Sequence, residues 1–429
     1  MKSITNYFIS QKKKINKILF TLIIIFIYVI GTKIPVPCLD KENIQSIEAL
    51  LKFQKDVLGL GYFKFSLCIL SLGIMPYITV SIIIQLASKI VPFLKEWSEQ
   101  GEKGKNQLNL FSRFLTLALA FGYGLGMTSS NMLGIILSPA LRVKIAFFLV
   151  VGVFICIWLA DLITAKGIGN GVSILIVIGI SKEVYSTFRF LYKPDESNLI
   201  PSTLAIYDRF VIFGCLLFLL ILTIILCSAY LKIPILYYTS NINKTHEAKI
   251  DKHIPFKINS AGVLPIILAT SLMNSFDMIS SFMNTDNKFR KIIISYFSIS
   301  QRQGLGLSFF LYLSLILLLS IFSIFMVINP HDVAQHLSKQ DSYIEGIKPG
   351  EETTRKITDE LFKITLIGAI CLTLLAAVPD ILYFCYSSKL PPNMKFGGTS
   401  LLIIVGVALE CVQRMNTQTQ LTSMHNKLF

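Results

Sequence analysis

A helix that crosses a bilayer needs about 20 consecutive, mostly apolar residues, and this chain meets or approaches that length ten times. The segments are Ile18–Ile34, Leu67–Pro92, Phe111–Met127, Val143–Ile163, Ile168–Tyr185, Phe210–Tyr230, Ala261–Met283, Leu305–Ile328, Leu361–Phe384 and Thr399–Val412. The fifth is diluted by glycine and serine, and the last is short. With 53% hydrophobic and only 15% charged residues, the composition lies outside the soluble range. The sequence therefore predicts an all-α polytopic membrane protein.

The amino end places Lys12, Lys13, Lys14 and Lys17 directly before the first span. No small-residue cleavage site follows that span; Lys33, Pro35 and Pro37 stand there instead, so it is read as a retained helix whose amino end is cytoplasmic. Ten spans then return the carboxyl terminus to the cytoplasm, with the basic residues biased to that side. The net charge of +15 matches basic loops facing anionic lipid better than a nucleic-acid surface. Most of the eight cysteines, including Cys68, Cys156, Cys215, Cys227 and Cys371, fall within apolar spans, and no CxxC pair occurs. They read as small core residues.

The second span carries Gly73 and Pro76 in its interior. That pair weakens a helix and frees a backbone carbonyl, which lipid tolerates only where protein or a water-filled cavity covers it. This span is expected to line something. Ile74, Ile78 and Ile82 recur every four residues along it, a spacing that suits lipid-facing packing and a hydrophobic constriction equally. Asp161, Asp277, Asp380 and Glu410 sit near span ends and the span middles hold no ionisable residue, which argues against a proton- or ion-coupled pathway.

Two polar insertions of unusual length, Leu231–Asn259 and Asn329–Asp359, fall on the cytoplasmic side. GIGNGVS at Gly167–Ser173 follows no strand and reads as a tight turn, with Asn170 and Ser173 opening the fifth helix. His331 and His336 lie five residues apart, do not share a helical face, and read as polar loop residues. No catalytic pattern such as HExxH, GxSxG or a P-loop is present. Three classes stay open on these grounds: a passive channel, a secondary transporter with broken helices between inverted repeats, and a membrane scaffold.

Five blocks in order then resemble the SecY family, the central subunit of the bacterial protein-conducting channel. They are LGIMPYITVSIIIQL (Leu72–Leu86), GIGNGVSI (Gly167–Ile174), IPFKINSAGVLPIILA (Ile254–Ala269), NPHDVAQHLSKQDSYIEGIKPGEET (Asn329–Thr353) and FGGTSLLIIVGVALE (Phe396–Glu410). The resemblance implies ten helices in two pseudo-symmetric five-helix halves around an hourglass pore. The halves are residues 1–190 and 209–429, joined by an external hinge at 191–208. It implies a channel subunit, not an enzyme, that passes unfolded secretory chains outward and releases transmembrane segments sideways, with no cofactor and no metal.

Carried over block by block, the family's constriction falls on Ile74, Ile78, Ile176, Ile267 and Ile403. Its plug falls on about residues 57–66, where Val57, Gly59, Gly61 and Lys64 replace the usual glycine pair and arginine. Its lateral gate runs between the second and third spans and the seventh and eighth, with Ser81, Gln85, Ser271 and Asn274 along it. The two loops, about 231–259 and 329–359, imply docking of the ribosome or the SecA ATPase through Lys232, Lys244, Lys249, Lys348, Arg355 and Lys356. Lys348 stands where most members have arginine, which keeps the charge and loses the planar bidentate contact. Further implied partners are SecE and SecG small membrane subunits, signal peptides, nascent chains and anionic lipid. The implied location is a bacterial plasma membrane with both termini cytoplasmic.

Overall fold

The computed structural model describes residues 2–37, 68–128, 138–192, 206–237, 253–259, 262–281, 283, 288–297, 306–339, 342–344, 346–348, 350–386 and 397–428. Each of the ten apolar segments contains a helix: α1 (Lys2–Gly31), α2 (Met75–Ile90), α4 (Glu102–Met127), α5 (Pro139–Lys166), α6 (Gly171–Tyr192), α7 (Ile206–Ser228), α8 (Leu264–Ser281), α10 (Leu307–Val327), α12 (Glu351–Cys385) and α13 (Gly397–Leu428). Shorter helices lie between them: α3 (Pro92–Glu99), α9 (Lys288–Phe297) and α11 (Pro330–Lys339). By length and composition α4, α5, α7, α10 and α12 each suffice to cross a bilayer, and α2 with α3 forms a broken sixth span. The apolar runs of α1, α6 and α8 are shorter: Ile15–Gly31, Gly171–Ser181 and Leu264–Phe276.

The second span departs from its sequence reading. Residues 68–74 form turns, and the helix begins only at Met75. Gly73 takes φ +56°, a left-handed conformation that glycine adopts without steric cost. Pro76 lies in the first turn, where its missing N–H would have had no helical partner in any case. The proline therefore starts this helix and interrupts none. The turn before α6 matches expectation. The Asn170 side-chain oxygen accepts the Val172 N–H at 3.1 Å, and the Thr164 hydroxyl accepts the Gly171 N–H at 2.9 Å, so two of the donors orphaned at a helix start are satisfied.

Packing repeats with an offset of five spans. In the first half α2 packs on α4, α4 on α5, and both α1 and α6 on α5. In the second half α8 packs on α10, α10 on α12, and both α7 and α13 on α12. The halves meet along two seams: α6 against α13, and α8 against α2 and α4. The largest buried apolar cluster runs across both halves and draws on α2, α5, α6, α8, α10, α12 and α13. The outward faces are equally apolar, with Leu22 and Phe26 on α1 and Phe213 and Phe218 on α7 exposed. A chain whose surface and interior are both apolar needs lipid around it.

The two polar insertions fold together. β1 (Tyr230–Tyr237) pairs antiparallel with β2 (His253–Lys257) on one side and with β3 (Ser342–Ile344) on the other, giving the order β2-β1-β3. Period-two alternation explains the strand: Ile233 and Ile235 are buried while Lys232 and Pro234 are exposed. Ile233, Ile235, Phe256, Leu337, Ile344 and Ile357 form a small core of their own, which Ile324 of α10 and Leu361 and Ile364 of α12 join. The stretch expected as polar loop around His331 and His336 is the helix α11, with both histidines exposed.

Candidate functional site

Ile74, Ile78, Ile176, Ile267 and Ile403 come from four helices of both halves and lie in the one large buried cluster. Each is between 4% and 8% exposed, so each is shut off from solvent by the packing of that cluster. Their positions share a rule. Ile74 caps α2 and Ile78 lies in its first turn, while Ile176, Ile267 and Ile403 each fall within the first two turns of α6, α8 and α13. Ile82 and Ile180 continue the same cluster one turn further along α2 and α6. All four helices take part in the two seams, α4 being the fifth that does, so the isoleucines sit on helices through which the halves face each other.

The seam between α8 and α2/α4 carries the candidate gate residues. The Gln85 amide donates to the Ser81 hydroxyl at 3.4 Å, so these two serve each other along α2 instead of reaching α8. Ser271 is buried, and its hydroxyl has no hydrogen-bond partner among the described residues; Asn274 is half-buried. The side-chain bond that does cross the seam joins Tyr123 of α4 to Ser275 of α8, at 3.1 Å between the hydroxyls. Sequence reasoning missed this pair. Its only signal was a tyrosine near the end of the third span, with nothing to point it at a partner 152 residues away.

On the polar platform Lys232 is exposed, with its ammonium 5.6 Å from the centre of the Tyr230 ring. Lys348 is exposed beside the start of α12. Its backbone is pinned there: the carbonyl accepts the Thr353 hydroxyl at 2.8 Å, and the N–H donates to the Glu352 carboxylate at 3.4 Å. Arg355 is exposed one turn into α12, while Lys356 pairs with Glu360 at 3.2 Å. Lys257 of β2 donates to Gln413 of α13, tying the platform to the last helix. The plug candidates Val57, Gly59, Gly61 and Lys64, and the loop lysines Lys244 and Lys249, lie outside the described residues, as does most of the 191–208 hinge.

Among charged groups within the helices, Arg113 of α4 meets Asp161 of α5 at 2.6 Å, and Glu410 pairs with Arg414 on α13 at 2.9 Å. Both pairs are part-exposed and neither belongs to the isoleucine cluster. The five isoleucines themselves offer apolar surface only.

The SecY family model matches residues 68–412. The protein translocase subunit SecY of Bacillus licheniformis is 34% identical over 97% of this chain and 97% of its own. That of Bacillus subtilis is 34% identical over 94% of each, and that of Staphylococcus aureus 33% over 97% of each. Among solved structures, a SecY protein whose plug domain stabilises the closed state of the translocation channel superposes with a TM-score of 0.63. It is 16% identical, with 95% of this chain and 92% of that one covered. Sec61 from the canine ribosome–channel complex of the endoplasmic reticulum gives 0.61 at 16% identity, covering 95% and 93%.

Proposed function

The chain belongs to the SecY family, and from that premise we propose that its isoleucine cluster is the constriction through which unfolded polypeptides are threaded. The protein is a multi-pass membrane protein and a subunit of a protein-conducting channel that works with other translocon components and the ribosome; it is not an enzyme. One observation carries the reading of the constriction: five isoleucines from both halves share one buried cluster, each at or within two turns of the start of its helix. A closed hydrophobic neck excludes water and ions by steric fit and dewetting. It yields to an extended chain because aliphatic side chains offer no fixed polar ligand that must be broken.

Residues 1–190 and 209–429 act as two leaves about a hinge at 191–208, and the seam of α8 with α2 and α4 is the side that opens for transmembrane segments. Residues 57–66 serve as the resting plug. The folded platform of β1, β2, β3 and α11 presents Lys232, Lys348 and Arg355 to the ribosome or to a SecA-type motor, with Lys244, Lys249 and Lys356 adding charge. SecE- and SecG-like small subunits and anionic lipid complete the assembly in a bacterial plasma membrane, with both termini cytoplasmic. Purified protein with Ile78→Gly and Ile403→Gly, reconstituted in vesicles, should leak small solutes well above the unsubstituted channel. Unchanged tightness in the double variant would remove the constriction from these residues.

A further inference from the structure

We propose that α3 is an interfacial helix: it lies in the headgroup layer of the bilayer, where Phe93 and Trp97 hold it, and lipid is the partner of its outer face. Four observations carry this. The first is direction. The axes of α2 and α3 differ by 97°, so a helix continuing from a span lies parallel to the membrane plane. The corner is built in. Pro92 forces Val91 out of the helical region, and Val91 is extended, with φ −88° and ψ 118°. At the other end Gly101 turns the chain with φ +71°. Gly104 of α4 then lies so close that an added Cβ would stand 1.7 Å from the Trp97 carbonyl oxygen. α3 is thus clamped against α4.

The second observation is sidedness. At about 100° per residue, Phe93, Leu94 and Trp97 fall on one arc, and Lys95, Glu96, Ser98 and Glu99 on the other. Leu94 is buried against the protein, whereas Phe93 is 55% exposed and Ile90, just before the corner, 78%. The Lys95–Glu99 pair, at 4.0 Å, occupies the polar side. Apolar residues on one side of a short in-plane helix and charges on the other suit the boundary between acyl chains and water.

The third is depth. Trp97 meets the Phe111 ring edge-on, with centroids 6.3 Å apart, and packs against Phe93 in a tilted arrangement, centroids 4.3 Å apart. Phe111 marks the change of character along α4. Before it come Glu102, Lys103, Lys105, Asn106, Gln107 and Asn109; from Leu110 on come the exposed Leu110, Phe111 and Phe114, and the one charge in the next turn, Arg113, is paired with Asp161. The aromatic contact therefore sets α3 at the level where this span enters hydrocarbon, which is where tryptophan concentrates. The fourth is continuity. Exposed apolar side chains occur on both sides of the corner and on α4, at Ile90, Phe93, Leu110 and Phe114, and Lys89, Lys95, Lys103 and Lys105 lie close to them along the chain, with stems long enough to reach lipid phosphates.

The chain has two tryptophans, Trp97 and Trp158, so Trp158→Phe leaves Trp97 as the sole reporter. The variant is purified, reconstituted alone in phosphatidylcholine–phosphatidylglycerol vesicles, and quenched by lipids brominated at shallow or deep acyl positions and by aqueous iodide. A helix seated about 5–10 Å into the boundary gives stronger quenching by shallow than by deep bromines, and little by iodide. Adding Phe93→Glu should raise iodide quenching severalfold. Efficient iodide quenching with no bromolipid effect would overturn the proposal, placing the face in water or against a soluble partner. Iodide protection that grows with protein density, again without bromolipid quenching, would overturn it in favour of a second copy. Should Trp158→Phe fold poorly, the difference between the unsubstituted protein and Trp97→Phe isolates the same signal.

Discussion

Tyr123 and Ser275 place a hydroxyl–hydroxyl bond across the seam, whereas Ser81 and Gln85 bond to each other within α2. A bond of this kind contributes about 0.5–1.5 kcal/mol net, enough to shift an open–closed ratio roughly 2- to 10-fold. Tyr123→Phe should therefore raise the open fraction of reconstituted channels by that order, and Ser275→Ala should do the same. Because both remove one interaction, the double variant should open no more than either single one; additive effects in single-channel recordings would separate the two residues. Ile74 and Ile78 were legible as a pair from their four-residue spacing, since periodicity within one helix is local information. Periodicity did not say whether they face lipid or a neck. That depends on α6, α8 and α13, whose isoleucines lie 98 or more positions away in sequence. Tyr123 was not legible at all, because a lone hydroxyl in a span carries no mark of its partner.

The helices were readable because each satisfies its backbone internally and announces itself by a continuous apolar run. Where an element depends on a distant segment, the sequence was silent. The insertion strand β1 shows alternation in its own residues, but its pairing of Ile235 with Ile344 joins two loops that three helices separate. The start of α2 was misread for a related reason. A proline within an apolar run reads as a break, and only the positive φ of Gly73 reveals that the helix has not yet begun. The satellite core under the sheet predicts an element-level phenotype. Phe256→Ala removes its one buried aromatic ring, a loss of roughly 3–5 kcal/mol in a large core, and this core is small. Limited trypsin digestion should then cut early at Lys232 or Lys257 while fragments carrying the membrane helices persist. Unchanged protection would mean that the strands are held by their hydrogen bonds to each other and by the Lys257–Gln413 contact.

Across the whole molecule the two seams are unequal. α6 and α13 pack along a broad front, whereas α8 touches α2 and α4 more sparingly, so separation of the halves should pivot on the first seam and part the second. Crosslinking tests this. An added Cβ at Gly169 would stand 3.5 Å from that of Cys411, within the range of a disulfide. The strained φ of +71° at Gly169 costs about 1 kcal/mol. Oxidised Gly169→Cys should keep translocation near the unsubstituted level. A short thiol-reactive bridge between Tyr123→Cys and Ser275→Cys should stop it, and the opposite outcome would move the pivot to the other side. The positions of the five isoleucines have one more consequence. α2 and α8, one from each half, begin within about one turn of Ile74, Ile78 and Ile267, and a helix start carries roughly half a positive charge from its aligned peptide groups. Uncharged side chains thus stand in a field of positive backbone potential drawn from both halves. When the neck is loosened by Ile78→Gly, the leak should favour chloride over potassium, read as the sign of the reversal potential in a salt gradient: the seal, once breached, still discriminates by charge.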